Sequence, residues 1–328
     1  MPKVSVVVPV YNVCLYIERC ARSLFEQTID SIEYIFVNDC TQDESIDILK
    51  RVIEDYPNRK DQIQIIENRK NRGLWYSRKV GMKLATGDYV IVCDSDDWLD
   101  LNAYELMYEQ AEEKNADIIC CGIYVEKINQ TKIILYPYKE ENRETIKNTK
   151  YVEGWIFSAF WNKLIKRNLY MGNNIYNYDN INMWEDLGVT LRLRYLSCKT
   201  LVLNKALYHY NRFNESSITA IPKLSNVEDQ ICCALYLEQF FKSMNDEDQF
   251  SMIIKYLKFK SKINLLVAKN IRNVDRWMNL YPELNGDIFQ YKGVLFYNRL
   301  ACWCVSHGLS KLGLFILDCK YFFLKYKR

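Results

Sequence analysis

An α/β fold built on a doubly wound, mostly parallel sheet, with a mainly helical C-terminal appendage, is what this 328-residue sequence predicts. Three observations carry the prediction. Short apolar runs alternate with segments of helical spacing as far as about residue 125. Residues able to do chemistry stand immediately after those runs. From about residue 224 onward the strand signals stop and the periodicity is helical.

Each element has its own warrant. Val4–Val8 is apolar and β-branched, the composition of a buried strand. Leu15–Gln27 has helical spacing through Leu15, Ile17, Ala21, Leu24 and Phe25. Glu33–Val37 is the next strand, and Ser45–Asp55 a helix with Ile46, Leu49, Val52 and Ile53 on one face. Gln62–Ile66 is a third strand. Leu74–Ala85 is a helix closed by Gly87. Tyr89–Cys93 is a fourth strand, Asp100 or Asn102 caps a helix reaching about Lys114, and Ile118–Val125 is a fifth strand. Strands separated by helices run parallel, because a crossover helix returns the chain in the same direction.

Past residue 125 the pattern weakens. Ile133–Tyr136 reads as a strand, Tyr151–Arg167 as mostly helix, and Glu185–Leu196 as a helix. Short strands are expected around Thr200–Leu203 and Tyr208–Tyr210. Leu224–Met244, Phe250–Arg272 and Val294–Lys325 read as helices. No internal repeat or low-complexity tract interrupts the chain.

Composition narrows the class. With 49% hydrophobic and 26% charged residues the chain has the apolar mass for a core. A net charge of +3 is too small to make nucleic acid the main partner. Residues 221–328 carry +6 and the remainder −3, so a basic region follows a slightly acidic one. That asymmetry suits an anionic surface such as a membrane, and an ordinary solvated face explains it equally well. No stretch reaches the roughly 20 uncharged apolar residues of a spanning helix. The segment from Leu312 to Arg328 comes nearest, mixing aromatics with cations in the manner of an interfacial helix, but its amphipathicity is poor. The 12 cysteines form no C-x-x-C pair and no disulfide framework. Cys302 and Cys304, with His307 nearby, read as buried thiols rather than a metal site. Unpaired thiols fit a reducing cytoplasm, and a first strand opening at Val4 leaves no space for a signal peptide.

In doubly wound sheets ligands bind beyond the C-terminal ends of the strands. Pro9-Val10-Tyr11-Asn12 follows the first strand, Asn38-Asp39 the second, and Asp94-Ser95-Asp96-Asp97 the fourth, so all three emerge on one rim. Three carboxylates in four residues repel one another without a cation. A hard divalent metal, Mg²⁺ or Mn²⁺, resolves that repulsion and can hold a diphosphate; the alternative is a turn whose aspartates cap the next helix. Asp39 can accept hydrogen bonds from a base or ribose, and Tyr11 can stack on a flat base. Turn, cap and core roles compete at each of these positions.

Taken in order, these motifs resemble inverting glycosyltransferase family two, whose type A fold binds nucleotide-sugars. Val4-Ser5-Val6-Val7-Val8-Pro9-Val10-Tyr11-Asn12 is similar to the family's opening strand. Asn38-Asp39 with Asp43 resembles its Asp-Asp-Gly-Ser-Thr-Asp run, with Asn38 for the first Asp and Cys40 for the Gly. Asn71-x-Gly73 with Arg78 and Gly81 resembles a further run, from which Ser77 and Lys79 depart. Gly87-Asp88-Tyr89 leading into Asp94-Ser95-Asp96-Asp97 is similar to the approach to its D-x-D motif. Trp161-Asn162-Lys163-Leu164, Glu185-Asp186, and Tyr208 to Arg212 through Ser217-Ile218-Thr219 also resemble family features.

The resemblance covers residues 3 to about 220. It implies a nucleotide-sugar-binding catalytic domain at 1–220 and a helical C-terminal region at 221–328. Tyr11 and Asp39 would hold the base, by implication uracil, with Pro9, Asn12 and Ser95 beside the donor. Asp94 would meet ribose or metal, Asp96 would bind Mn²⁺ or Mg²⁺, and Arg78 would approach sugar or phosphates. Asp186 would be the catalytic base, with Glu185 orienting it or the donor. Among the remaining positions, His209 is a candidate metal ligand, Lys163 and Arg212 are candidate phosphate contacts, and Trp155, Trp161 and Trp184 lie in the stretch expected to line the acceptor cleft. For each of these a packing or surface role is the competing reading.

Inverting transfer needs one carboxylate to take the acceptor's proton, and a metal to stabilise the departing diphosphate. A glycosidase would instead set two carboxyl groups across the bond. A sugar nucleotidyltransferase expects a Gly-rich loop after the first strand, where Pro9-Val10-Tyr11-Asn12 stands. A catalytically inactive assembly module predicts loss of Asp96 or Asp186, and both are present. The expected partners are a UDP-sugar donor and a lipid-linked or oligosaccharide acceptor, as in bacterial capsule, lipopolysaccharide or exopolysaccharide synthesis. The expected place is the cytoplasm, peripheral on the inner face of the cell membrane.

Overall fold

The computed structural model describes residues 1–137, 139–147, 158–214 and 222–325. They form two compact units, one holding 1–147 and 158–214, the other 222–325.

The first unit is a ten-stranded sheet flanked by helices. Its parallel core is β1 (Val4–Val10), β2 (Ile32–Asn38), β3 (Ile63–Glu67) and β4 (Tyr89–Val92), in the order β3-β2-β1-β4. Every residue of β1 and β2 is buried, as expected of strands covered on both faces. The connecting helices are α1 (Ile17–Phe25), α2 (Ser45–Glu54) and α3 (Leu74–Leu84). At the N-terminal edge, Ser5 Oγ donates to Glu33 Oε1 at 2.5 Å, and that same carboxylate oxygen accepts from the Thr86 and Gly87 amides at 2.6 and 3.2 Å. This knot fixes the turn between α3 and β4.

Beyond β4 come β5 (Trp98–Leu99), α4 (Ala103–Lys114), β6 (Ile118–Lys127), β7 (Gln130–Ile134), β8 (Lys139–Glu141), α5 (Arg143–Lys147), β9 (Lys163–Lys166) and β10 (Thr200–Asn211). The sheet continues from β4 through β9, β6 and β10 to β5. β10 runs parallel to β6, whereas β9 is antiparallel to both β4 and β6.

Several elements differ from the sequence reading. Residues 163–166 are a strand, not the end of a helix, because the apolar run Leu164-Ile165 fills the gap between β4 and β6. The two short strands expected after residue 200 are one strand of 12 residues, with register shifts against β6 between Val202 and Tyr208. Neither Asp100 nor Asn102 caps α4 with its side chain. Gln27 serves instead, accepting from the Tyr104 amide at 3.1 Å and donating to the Asp100 carbonyl at 2.8 Å.

The second unit is helical: Leu224–Ser243, Glu247–Lys262, Asn264–Val267, Val274–Asn279, Phe296–Ser306 and Ser310–Lys325. The first two pack through Phe241 and Phe250, whose rings stack at 3.8 Å. The helix expected over 250–272 ends at Lys262, whose buried ammonium donates to the Leu280 carbonyl at 2.6 Å and to Asn285 Oδ1 at 2.8 Å. The helix expected over 294–325 is two helices, separated at Gly308, whose φ of +80° few other residues adopt. Among the described residues no helix is long and apolar enough to cross a membrane.

Candidate active site

Three parallel strands deliver the first part of the site. In register, Val10 of β1 faces Asn38 of β2, and Val7 faces Val92 of β4, so Tyr11, Asp39 and Asp94 leave the sheet on the same rim. The loops after β1 and β2 are tied together. The Asn12 amide donates to Thr41 Oγ1 at 2.8 Å, and the Cys14 amide to Asp43 Oδ2 at 2.9 Å. Burial pushes the Asp43 carboxyl up, but hydrogen bonds from Ser45, Thr41 and Cys14 outweigh it and hold the group well below the usual range. Cys40, standing where the resembled family has glycine, sits at a φ of 58°. The turn needs a left-handed residue there, which explains the glycine and means that Cys40 carries the strain.

Asp39 is only 3% exposed. Its two oxygens accept from Asn68 Nδ2 at 2.8 Å, the Arg72 amide at 3.0 and 3.1 Å, and the Gly73 amide at 2.7 Å. Its carboxylate therefore fastens residues 68–73, the approach to α3, rather than pointing free into the rim. Tyr11, by contrast, is 43% exposed beside it.

The acidic loop after β4 is shaped from the far side by β10. Asp97 is fully buried. Tyr208 Oη donates to its Oδ2 at 2.6 Å, and the Asn211 amide to its Oδ1 at 2.7 Å. Burial, then the charges of Asp96 and Asp94, push its carboxyl well up. Asp96 is also raised, by burial and by Asp94, and its Oδ2 accepts from Asn214 Nδ2 at 2.8 Å. Asn211 Nδ2 donates to the Asp96 carbonyl at 3.1 Å. Tyr208, Asn211 and Asn214 were not assigned these roles from sequence. The Tyr-rich run at 208–212 marked the place, but its pairing with Asp97 is long-range.

Glu185 and Asp186 open the helix Glu185–Leu196. Both face Arg78 of α3. Arg78 Nη1 donates to Glu185 Oε1 at 3.0 Å and to Asp186 Oδ1, and Nη2 donates to Asp94 Oδ1 at 2.7 Å. Asp186 Oδ2 also accepts from the Phe160 amide at 3.3 Å. Burial raises both carboxyls, and at Glu185 the neighbouring Asp186 raises it further, while Arg78 pulls each back. One guanidinium thus joins the acidic loop after β4 to the Glu-Asp pair.

The structure separates other expected residues from this rim. Pro9 is buried within β1 and Ser95 in the loop after β4. Lys163 is fully buried, donating to the Ala159 carbonyl and to Asn162 Oδ1, and burial pushes it down to about 8; a phosphate has no access to it. His209 does not join Asp96. Its Nδ1 faces Glu126 Oε1 at 2.8 Å and its Nε2 faces Asp100 Oδ1 at 3.0 Å, while its ring lies between Trp98 and Tyr124. Trp161 is packed against Tyr208 and Tyr210 rather than exposed in a cleft. Trp184 immediately precedes Glu185 at a φ of 69°. Trp155 and Ser217-Ile218-Thr219 lie outside the described residues.

Among the described residues no group of three or more His, Cys, Asp or Glu side chains forms a metal cage. The two carboxylates Asp94 and Asp96 fit a different arrangement, in which a hard cation takes one or two protein carboxylates and completes its shell with substrate phosphates.

Residues 5–171 match the profile of Glycosyl transferase family 2. The chain belongs to this family. Among curated relatives, an uncharacterized glycosyltransferase of Bacillus subtilis, EpsJ, is 34% identical over 228 residues, 68% of this chain and 64% of that protein. The glycosyltransferase GlyA of Streptococcus pneumoniae is 30% identical over 231 residues, 67% of this chain and 32% of that protein. The chain thus spans less than two thirds of the length of these family 2 relatives. Among solved structures, S. aureus TarS in complex with UDP-GlcNAc superposes with a TM-score of 0.68 at 18% identity, covering 97% of this chain and 91% of that one. A mannosyltransferase of Pyrobaculum calidifontis in complex with GDP-Man and Mn²⁺ gives 0.53 at 16% identity, covering 97% and 86%. At these identities the likeness concerns the fold, and the family 2 chain shares it along nearly its whole length.

Proposed function

We propose that this chain is a metal-dependent inverting glycosyltransferase that moves a hexosyl or N-acetylhexosaminyl group from a nucleotide-sugar, a UDP-sugar, to an acceptor hydroxyl. The observation that carries this reading is the convergence on Arg78 of Asp94 and Asp186, one from the donor-side loop and one from the base-side helix. Support comes from the relatives named glycosyltransferases and from the fold neighbours solved with UDP-GlcNAc and with GDP-Man and Mn²⁺.

In this reading Tyr11 stacks on the base, Asn12 lines the donor cleft, and Asp39 builds its wall by holding residues 68–73. Asp94 and Asp96 would hold Mg²⁺ or Mn²⁺, which would supply positive charge to the departing diphosphate. Asp186 takes the acceptor proton as the hydroxyl attacks the anomeric carbon from the face opposite the leaving group, which inverts the centre. Glu185 orients Asp186 across the shared guanidinium. Residues 1–220 form the catalytic domain and 221–328 an appendage.

A lipid-linked acceptor of bacterial surface-polysaccharide synthesis, met at the inner face of the cell membrane, fits the basic C-terminal region. There Phe296 is 62% and Leu295 58% exposed, beside an Arg299 guanidinium that lies over the Phe296 ring.

Calorimetry tests the donor site. UDP, GDP and CDP are titrated with and without Mn²⁺ into wild type and Asp96→Ala. Metal-dependent UDP binding that Asp96→Ala abolishes supports the assignment. Absence of binding by every nucleotide sinks it.

A further inference from the structure

Arg78 stands in a motif whose resemblance implies donor contact, yet its side chain is 1% exposed. The terminal nitrogens carry all its ion pairs, and its Nε finds no hydrogen-bond partner among the described residues. Its partners come from separate parts of the chain, Asp94 after β4 and Glu185 and Asp186 at the start of a helix about 90 residues later. Its own helix is set flush on the sheet, because Gly81, three residues on, lies directly against Val7 of β1. The guanidinium therefore has a fixed origin and two fixed directions, Nη2 toward the acidic loop and Nη1 toward the Glu-Asp pair.

We infer that Arg78 is a positioning residue and not a donor ligand: it sets the distance and orientation between the donor-holding Asp94 and the proton-accepting Asp186. The inference rests on the reading of Asp186 as base. A planar fork is needed for this task. It holds two carboxylates on different nitrogens at fixed angles, whereas a lysine ammonium is a point charge on a flexible stem that satisfies one and lets the other drift. Misplacing a base by about 1 Å costs on the order of 100-fold in rate. A residue that never touches the donor changes nucleotide affinity only through the position of Asp94, and so far less than it changes turnover.

The test is Arg78→Lys, measured for folding by circular dichroism, for UDP affinity by calorimetry with Mn²⁺, and for kcat and KM in sugar transfer. The expected result is a folded variant whose UDP affinity stays within about threefold of wild type while kcat falls about 100-fold. Added methylguanidinium should restore part of the turnover of Arg78→Ala, because it refills the site with a planar fork. A UDP affinity weakened tenfold or more, with kcat at saturating donor retained, makes Arg78 a donor ligand and overturns the inference. Should the variants not fold, a crystal structure of the wild-type protein with UDP and Mg²⁺ decides. Arg78 still forked between Asp94 and Asp186, with no phosphate oxygen in reach, supports it; a guanidinium turned onto the phosphates refutes it. Asp186→Asn separates the two readings. If it keeps full turnover, the assignment of the base fails. If it is inactive while Arg78→Lys turns over normally, the base stands and the positioning role falls.

Discussion

Gly81→Ala is predicted to lower both stability and activity. A Cβ at Gly81 would lie 2.3 Å from Val7 Cγ1 and 3.2 Å from Val37 Cγ2. Ordinary contact begins near 3.4 Å, so α3 must lift from the sheet by about 1 Å or Val7 must leave its rotamer. Val7 is fully buried and β-branched, and has little room to turn. Overpacking of this kind costs about 1–3 kcal/mol. Alanine returns roughly 1 kcal/mol through better helix propensity and a less flexible unfolded chain. The net loss is about 0–2 kcal/mol, which for a unit of this size is a fall in Tm of up to roughly 8 °C. Activity should fall further than stability does, since a displaced α3 carries Arg78 with it. Thermal unfolding and steady-state turnover read the two effects. Val7→Ala in the same chain should recover part of both, giving a coupling of about 1 kcal/mol between neighbours. A Gly81→Ala protein with wild-type Tm and turnover would refute the packing argument.

Asp186 must be ionised to accept a proton, and burial raises its carboxyl above the ordinary 3.8 while Arg78 opposes the rise. The acid limb of the kcat/KM profile, which reports the free enzyme, should therefore lie above pH 3.8, with activity lost as pH falls through it, and a profile flat down to pH 3.8 would contradict the assignment. Tyr208→Phe removes the hydroxyl that donates to Asp97, leaving a buried acceptor short of a partner; a loss of about 1–3 kcal/mol in denaturant unfolding and weaker metal-dependent UDP binding are expected. Lys262 is pushed down to about 8 by burial, against 10.5 when exposed. Between those values the unfolded chain holds a proton that the folded chain has released, so this group makes stability rise with pH across that window; Lys262→Met should remove that rise in unfolding experiments at pH 8 and pH 10.

The parallel half of the sheet was legible because each of its strands is an apolar run bounded by a helix of clear period. The rim was legible for the same reason, since in such a sheet the ends of strands decide where ligands go. β9 escaped because four residues, Lys163–Lys166, give no period of their own, and their strand character comes from the partners on both sides. Side-chain allegiance escaped too. Sequence identifies Asp39, Arg78 and His209 as residues able to bind nucleotide, phosphate or metal. It does not reveal that backbone amides, three carboxylates and two carboxylates respectively reach them first. Lys163 failed as a phosphate contact for a simpler reason: its motif neighbours are core residues, and it is buried with them.

The stack around His209 has an optical consequence. The Arg19 guanidinium lies 3.4 Å from the centre of the Trp98 ring, and on β10 and β6 the rings of His209 and Tyr124 continue the pile at 4.9 and 4.3 Å. Trp98 directly follows Asp97, so its indole is sandwiched one residue from the acidic loop. Trp98 is therefore an optical reporter held one residue from the acidic loop, and a ligand that shifts that loop should change its near-ultraviolet circular dichroism.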